Sequence, residues 1–266
     1  MTKLKICGLK DYDSANIAVE SGADFLGFVF VPGARRRLEM NHAKKVIEKL
    51  KKNHGDKLPN LVGLFANQTI ERVNKIVHNL NLDLVQLCGD ETHEYVKGMD
   101  VPTIKQVKVV EYEQFDSSVS KLREQVELAL SYGSMVVLDK YEASSYGGTG
   151  SKFNWDIAAE LSGTYNLILA GGLDCDNIVE AISRVAPWGV DVSSGIETDG
   201  IKDESKIKKV VKLEKKKYPI LKLSIASVIL LIVALGFFRF YGDFSPNTKY
   251  TPAEYKDGKL VPAENK

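Results

Sequence analysis

The chain has 266 residues, enough for one α/β barrel of roughly 250 residues or for two smaller domains. Hydrophobic residues make up 44% and charged residues 27%, close to folded globular averages, which excludes wholesale disorder. With 36 basic and 35 acidic residues the net charge is +1, so the positive field of a dedicated nucleic-acid binder is absent.

The N-terminus opens as MTKLKICGL, without the basic and apolar regions of a secretory signal, and the first domain is expected in the cytoplasm. From there short runs rich in Val, Ile, Leu and Phe alternate with stretches of helical period. The strand candidates are Lys3 to Cys7, Asp24 to Phe30, Leu61 to Phe65, Leu84 to Leu87, Thr103 to Val107, Ser134 to Leu138, Asn166 to Leu169 and Val190 to Val192. Helix candidates between them are Asp13 to Ser21, Asn41 to Lys52, Thr69 to Asn79, Ser117 to Ser131, Asp156 to Leu161 and Cys175 to Val185. Parallel strands covered on both faces read as such continuous apolar runs, and eight of them favour a closed (β/α)8 TIM barrel over an open doubly wound sheet.

A last barrel helix is expected from about Asp203 to Tyr218, with Pro219 as its stop, so the barrel domain spans 1–218. Leu223 to Phe238 then runs sixteen residues without a charge between Lys222 and Arg239. Apolar on every face and following a complete barrel, it reads as a single transmembrane helix within 219–240, extended by snorkelling of its flanking cations. Eight lysines from Lys206 to Lys222 place the barrel on the cytoplasmic side. Residues 241–266, with Pro246, Pro252 and Pro262, read as an irregular polar tail.

In a closed parallel barrel the reactive groups gather at the C-terminal ends of the strands. Cys7 ends the first run and Gly8 follows it. A lone buried cysteine is usually packing, but its place at the barrel mouth makes it a candidate. Asp139 ends the sixth run, where an acid closing a buried strand is either a local cap or a functional group. The Gly-rich stretch from Tyr146 to Gly150, including Gly148, is long enough to cover the mouth. Gly171 and Gly172 after the seventh run, and Ser193, Ser194 and Gly195 after the eighth, occupy the usual phosphate site of these barrels. Arg35, Arg36 and Arg37 form a basic triplet after the second run, and one guanidinium there could pair with a substrate carboxylate. The cysteines Cys7, Cys88 and Cys175 lack CxxC spacing and the four histidines lack HxxxH spacing, so neither a disulfide framework nor a metal site is expected.

Taken in order, KICGL, GADFLGFVF, VGLFAN, LVQLCGDE, YGGTG, LAGGL and GVDVSSGIE resemble the phosphoribosylanthranilate isomerase family over residues 1 to about 213. The resemblance implies a (β/α)8 barrel that carries out an Amadori rearrangement of N-(5-phosphoribosyl)anthranilate in tryptophan biosynthesis, without a cofactor. It implies Cys7 as general base, Asp139 as general acid and Arg36 as the carboxylate ligand. It also implies substrate contacts at Gly148, Gly171, Gly172, Asp191, Ser193, Ser194 and Gly195. The expected partners are the small phosphoribosyl substrate, the membrane through the C-terminal helix, and other enzymes of the tryptophan pathway. The chain departs from the family pattern at Cys88, where VQLHG is common, and at Ala34 to Leu38, where SxRYV is common. The pairing of Cys7 with Asp139 argues against another sugar-phosphate barrel, such as an indole-glycerol-phosphate synthase or a ribonucleotide isomerase of histidine synthesis. A membrane-tethered scaffold that has lost catalysis is the alternative of a different class.

Overall fold

A computed structural model describes residues 2–140, 154–215, 253–256 and 259–262. Eight parallel strands form a closed barrel in chain order: β1 (Lys3–Cys7), β2 (Phe25–Val29), β3 (Asn60–Phe65), β4 (Leu84–Leu87), β5 (Thr103–Val109), β6 (Met135–Lys140), β7 (Leu167–Leu169) and β8 (Gly189–Val192). Pairing of β8 with β1, with Lys5 opposite Asp191, closes the ring. The helices are α1 (Tyr12–Ser21), α2 (Met40–His54), α3 (Ile70–Leu80), α4 (His93–Lys97), α5 (Phe115–Ser131), α6 (Trp155–Ser162), α7 (Ile178–Val185) and α8 (Glu204–Lys215).

Because side chains alternate along a strand, each strand serves two cores. Leu4 and Ile6 of β1, Leu26 and Phe28 of β2 and Val136 and Leu138 of β6 pack outward against the helices. Phe25, Val29, Val62, Leu64, Leu84, Ile104, Met135, Val137 and Ile168 turn inward and fill the lumen as a separate apolar cluster that also contains Cys7 and Cys88. A filled lumen leaves the C-terminal mouth as the place where polar groups can meet a ligand.

Three elements lie outside the sequence expectation. The five residues of α4 are too few to show a helical period, and Thr92 caps them by accepting a hydrogen bond from the Tyr95 N–H. After β8 a hairpin of β9 (Glu197–Thr198) and β10 (Ile201–Lys202) turns through Asp199 and Gly200, both at positive φ. That Asp-Gly pair is a strong hairpin signal, masked here by the shortness of the strands. The tail, read as irregular, contains an antiparallel pair, β11 (Ala253–Lys256) with β12 (Lys259–Pro262). Asp257-Gly258 separates these strands in sequence, and polar composition hid the signal.

The last barrel helix is capped by Asp203, whose Oδ1 accepts from the Ser205 and Lys206 amides. The apolar run 223–238, read as a membrane span, lies outside the described residues. Among the described residues no helix is long and apolar enough to cross a membrane.

Candidate active site

Alternation in Lys-Leu-Lys-Ile-Cys sends Leu4 and Ile6 to the helix layer and leaves Lys5 and Cys7 on the opposite, lumen side. Both are buried. Gly27 of β2 makes room for the thiol, since a Cβ there would lie 2.9 Å from Cys7 Sγ. Gly8 ends the strand at φ +75, and a Cβ there would strike Arg36 Cδ at 2.4 Å, so the Arg36 side chain lies directly over this turn.

Cys7 sits among charges. Lys5 Nζ bonds Asp191 Oδ2 at 2.7 Å across the β1–β8 seam, one strand repeat from Cys7 on the same face of β1. Burial alone would pull the Lys5 ammonium down, but the Asp191 carboxylate and Cys7 together hold it above its ordinary value. Burial pushes the Cys7 thiol up and Asp191 pushes it further, while Lys5 and Lys202 oppose the rise. Lys5 and Lys202 are thus the cations that favour the thiolate.

Asp139 is the penultimate residue of β6, one short of the strand end, and is buried, with Oδ1 accepting from the Lys140 amide and Oδ2 from Gln106 Nε2 at 2.8 Å. Burial is the largest influence on this carboxyl and Asp191 adds to it; against the two hydrogen bonds and Lys5, its pKa is raised to about 6. Cys88 stands in the lumen cluster, accepts a hydrogen bond from Gln86 Nε2 and is pushed up to about 12 by burial and then by Glu91. An inert thiol is the result.

The three arginines separate in space. Arg37 pairs with Glu39 at the surface, and Arg35 is largely exposed. Arg36 is nearly covered, and its Nε and Nη2 bond the two oxygens of Glu197 at 2.6 and 2.9 Å. Glu197 also accepts from Arg35 at 2.6 Å and from Lys202 at 2.9 Å, and Lys202 donates in addition to the Ser193 carbonyl. Burial resists ionisation of Glu197, yet these donors prevail and hold its carboxyl down at about 2. One carboxylate thus gathers three cations, and the rim of the mouth carries a local excess of positive charge.

At the ends of β7 and β8 the predicted loop residues come together. Gly171 and Gly172 both have positive φ. Gly195 bridges to Asp174, and a Cβ at 195 would lie 2.0 Å from the Leu173 carbonyl oxygen, so only glycine allows the two loops to touch. Ser193 Oγ donates to the Cys7 carbonyl at 3.1 Å, tying the eighth loop to the first strand. The Ser194 carbonyl accepts from the Glu197 amide. Gly148 lies outside the described residues.

Sequence reasoning passed over Lys5, Gln106, Glu197 and Lys202. For Lys5 and Gln106 a signal exists, because each lies two positions before a residue at or near a strand end and therefore shares its face. For Glu197 and Lys202 the signal is the Asp-Gly turn that pairs them. Among the described residues no group of His, Cys, Asp and Glu could hold a metal ion.

The sequence matches the family described as N-(5′-phosphoribosyl)anthranilate isomerase over residues 4–213. An enzyme of that name from Dehalococcoides mccartyi is 40% identical over 207 residues, covering 78% of this chain and 93% of the relative. The crystal structure of phosphoribosyl anthranilate isomerase from Thermotoga maritima superposes with a TM-score of 0.69 at 31% identity, over 81% of this chain and 99% of that one. A further structure of the isomerase, in complex with reduced 1-(o-carboxyphenylamino)-1-deoxyribulose 5-phosphate, has a TM-score of 0.66 at 31% identity with the same coverage. Barrel, motifs and relatives agree, and the chain belongs to the phosphoribosylanthranilate isomerase family.

Proposed function

We infer that this chain converts N-(5-phosphoribosyl)anthranilate to 1-(2-carboxyphenylamino)-1-deoxyribulose 5-phosphate, in tryptophan biosynthesis. The observation that carries the assignment of roles is the convergence of Asp139 and Cys7 on one charged lumen, through their shared neighbours Lys5 and Asp191.

Asp139 is the general acid. With its carboxyl raised to about 6, roughly a tenth of the molecules hold the proton at pH 7, far more than an ordinary aspartate would. It gives that proton to the ribose ring oxygen, opening the furanose to an iminium. Cys7 is the general base: its thiolate removes the C2 proton, and the resulting enolamine tautomerises to the ketose. Gln106 fixes the Asp139 carboxyl through Oδ2. Asp191 Oδ1 is buried with no hydrogen-bond partner among the described residues, which suits acceptance of a substrate hydroxyl.

Glu197 fixes the plane of the Arg36 guanidinium by two bonds, and from that position Arg36 receives the anthranilate carboxylate. The phosphate is taken by the loops bearing Gly171, Gly172, Ser193, Ser194 and Gly195, whose backbone amides bind a dianion without a dedicated lysine. Gly148 belongs to the same substrate set, from the loop after β6. Nothing in the fold or the relatives supports the alternative of an inactive tethered barrel.

From the sequence we infer that residues 219–240 cross a membrane as a single helix, with the barrel of 1–218 on the cytoplasmic side and 241–266 beyond it. This rests on the sixteen uncharged residues 223–238 and the eight lysines before them. A membrane position would bring the barrel near other enzymes of the pathway.

The test is turnover of the substrate, generated in situ and followed by loss of its fluorescence, in the parent and in Cys7→Ala and Asp139→Asn. Turnover by the parent that collapses in both variants is expected. A folded parent without turnover overturns the assignment.

A further inference from the structure

We propose that Lys5 is the positioning counter-ion of Cys7: a lumen ammonium, anchored by Asp191, that stabilises the cysteine as a thiolate without itself touching substrate. The inference rests on Cys7 being the base and adds the group that makes its ionisation possible.

Three observations carry it. Lys5 and Cys7 are two residues apart on β1, so both side chains enter the lumen as buried neighbours on one face of the strand, and the Lys5 charge favours the thiolate. Lys5 is only 1% exposed, and its partner Asp191, bonded through Oδ2 at 2.7 Å, is buried as well. Asp191 stands opposite Lys5 in the strand register and anchors its ammonium across the closing seam of the barrel.

A buried ion pair is a poor means of stabilising a barrel. Desolvating both charges consumes most of their attraction, and an apolar pair of similar volume often does as well. Apolar side chains such as Phe25, Val62, Ile104 and Val137 fill the body of the lumen, so nothing in the packing calls for a lysine. A fixed cation beside a thiol does have a chemical consequence, because it favours the charged form.

The other groups around the sulfur limit the effect and set its sign. Asp191 from β8 opposes ionisation, and Lys202 from β10 supports it. Cys88 at the end of β4 is held as a thiol and stays neutral. Asp139 from β6 interacts with the same Lys5 and Asp191. Lys5 therefore works against both burial and Asp191. Removing Lys5 and removing the charge of Asp191 must shift Cys7 in opposite directions, which no purely structural role would do. When the thiolate takes the C2 proton it becomes a neutral thiol, and Lys5 keeps its own proton throughout.

The experiment titrates the Cys7 thiolate in the full chain by ultraviolet absorbance, as the difference between each protein and its Cys7→Ser counterpart. Lys5→Met should move the ionisation midpoint up by about one pH unit, a roughly tenfold loss of thiolate at fixed pH. Asp191→Asn should move it down. Where Lys5→Met alone fails to fold, the double variant Lys5→Met/Asp191→Asn replaces it. Compared with Asp191→Asn it differs only at Lys5, and its midpoint should be the higher. Midpoints unmoved by these changes, or moved in one common direction, overturn the proposal. The rising limb of kcat/KM against pH should follow the thiolate in Lys5→Met. A limb that stays put while the thiolate shifts leaves the counter-ion standing and removes Cys7 as the base.

Discussion

Glu197 holds Arg36 by a paired contact, Nε to Oε1 at 2.6 Å and Nη2 to Oε2 at 2.9 Å, the geometry that sequence reasoning reserved for a substrate carboxylate. An internal carboxylate therefore orients the cation before substrate arrives. Glu197→Gln keeps the shape but loses the charge. We expect KM to rise about tenfold with a smaller change in kcat, equivalent to about 1.4 kcal/mol of lost positioning. Steady-state kinetics check this.

The same residue gives a pH signature. Its carboxyl is depressed from its ordinary 4.5 to about 2, so its contribution to stability is complete above 4.5 and is lost as pH falls toward 2. Thermal unfolding between pH 5 and 2 should show a shallower acid loss in Glu197→Gln than in the parent. Parallel curves would contradict the role of Glu197 as the ionised centre of this cluster.

Asp139 predicts the opposite trend. Its carboxyl rises from an ordinary 3.8 to about 6, so the fold is favoured at low pH, and this advantage disappears as pH climbs through about 6. Ionisation of this buried group costs on the order of 3 kcal/mol at neutral pH. Asp139→Asn should therefore be more stable than the parent at pH 7, by up to about that amount, while turnover falls by about 10² to 10⁴-fold. Once the Gln106 amide turns over, its Oε1, which has no partner among the described residues, faces the new amide and accepts from it. Denaturant unfolding of both proteins at pH 5 and pH 8 should show the gap widening with pH.

Gly195→Ala tests the contact between the loops after β7 and β8. A Cβ placed 2.0 Å from the Leu173 carbonyl forces the loops apart, and the loss should be about 1 to 3 kcal/mol in stability with a higher KM. Inorganic phosphate should inhibit the variant more weakly than the parent. Equal inhibition would separate these loops from phosphate binding.

The apolar run 223–238 makes a prediction about partition. The full chain should remain with membranes after alkaline extraction. Charges at its centre, in Leu230→Asp/Leu231→Lys, should release it, since each costs roughly 2.5 to 3.5 kcal/mol at the middle of a span. A parent chain found in the soluble fraction would remove the anchor.

Much of this molecule was legible in one dimension. The eight strands and the helices other than α4 follow from apolar runs and helical period, because burial on both faces of a parallel strand must be written into consecutive residues. Cys7 and Asp139 were legible at strand ends, and Gly171, Gly172 and Gly195 as glycines of the loops after the seventh and eighth strands, where positive φ or close backbone approach excludes a side chain. The short α4 and the hairpin of β9 and β10 were not, since two to five residues carry too little periodicity to register.

What tertiary structure alone decided is which charges meet. Lys5 and Asp191 are 186 residues apart, and Arg36 and Glu197 are 161 apart. Closure of β8 onto β1 brings the first pair together, and the hairpin after β8 folding over the second loop brings the second. Sequence determined the barrel because hydrophobic pattern is local. The electrostatic state of the thiol and of the arginine was decided by closure of the ring, because Coulomb interaction depends on distance in space and on exclusion of water.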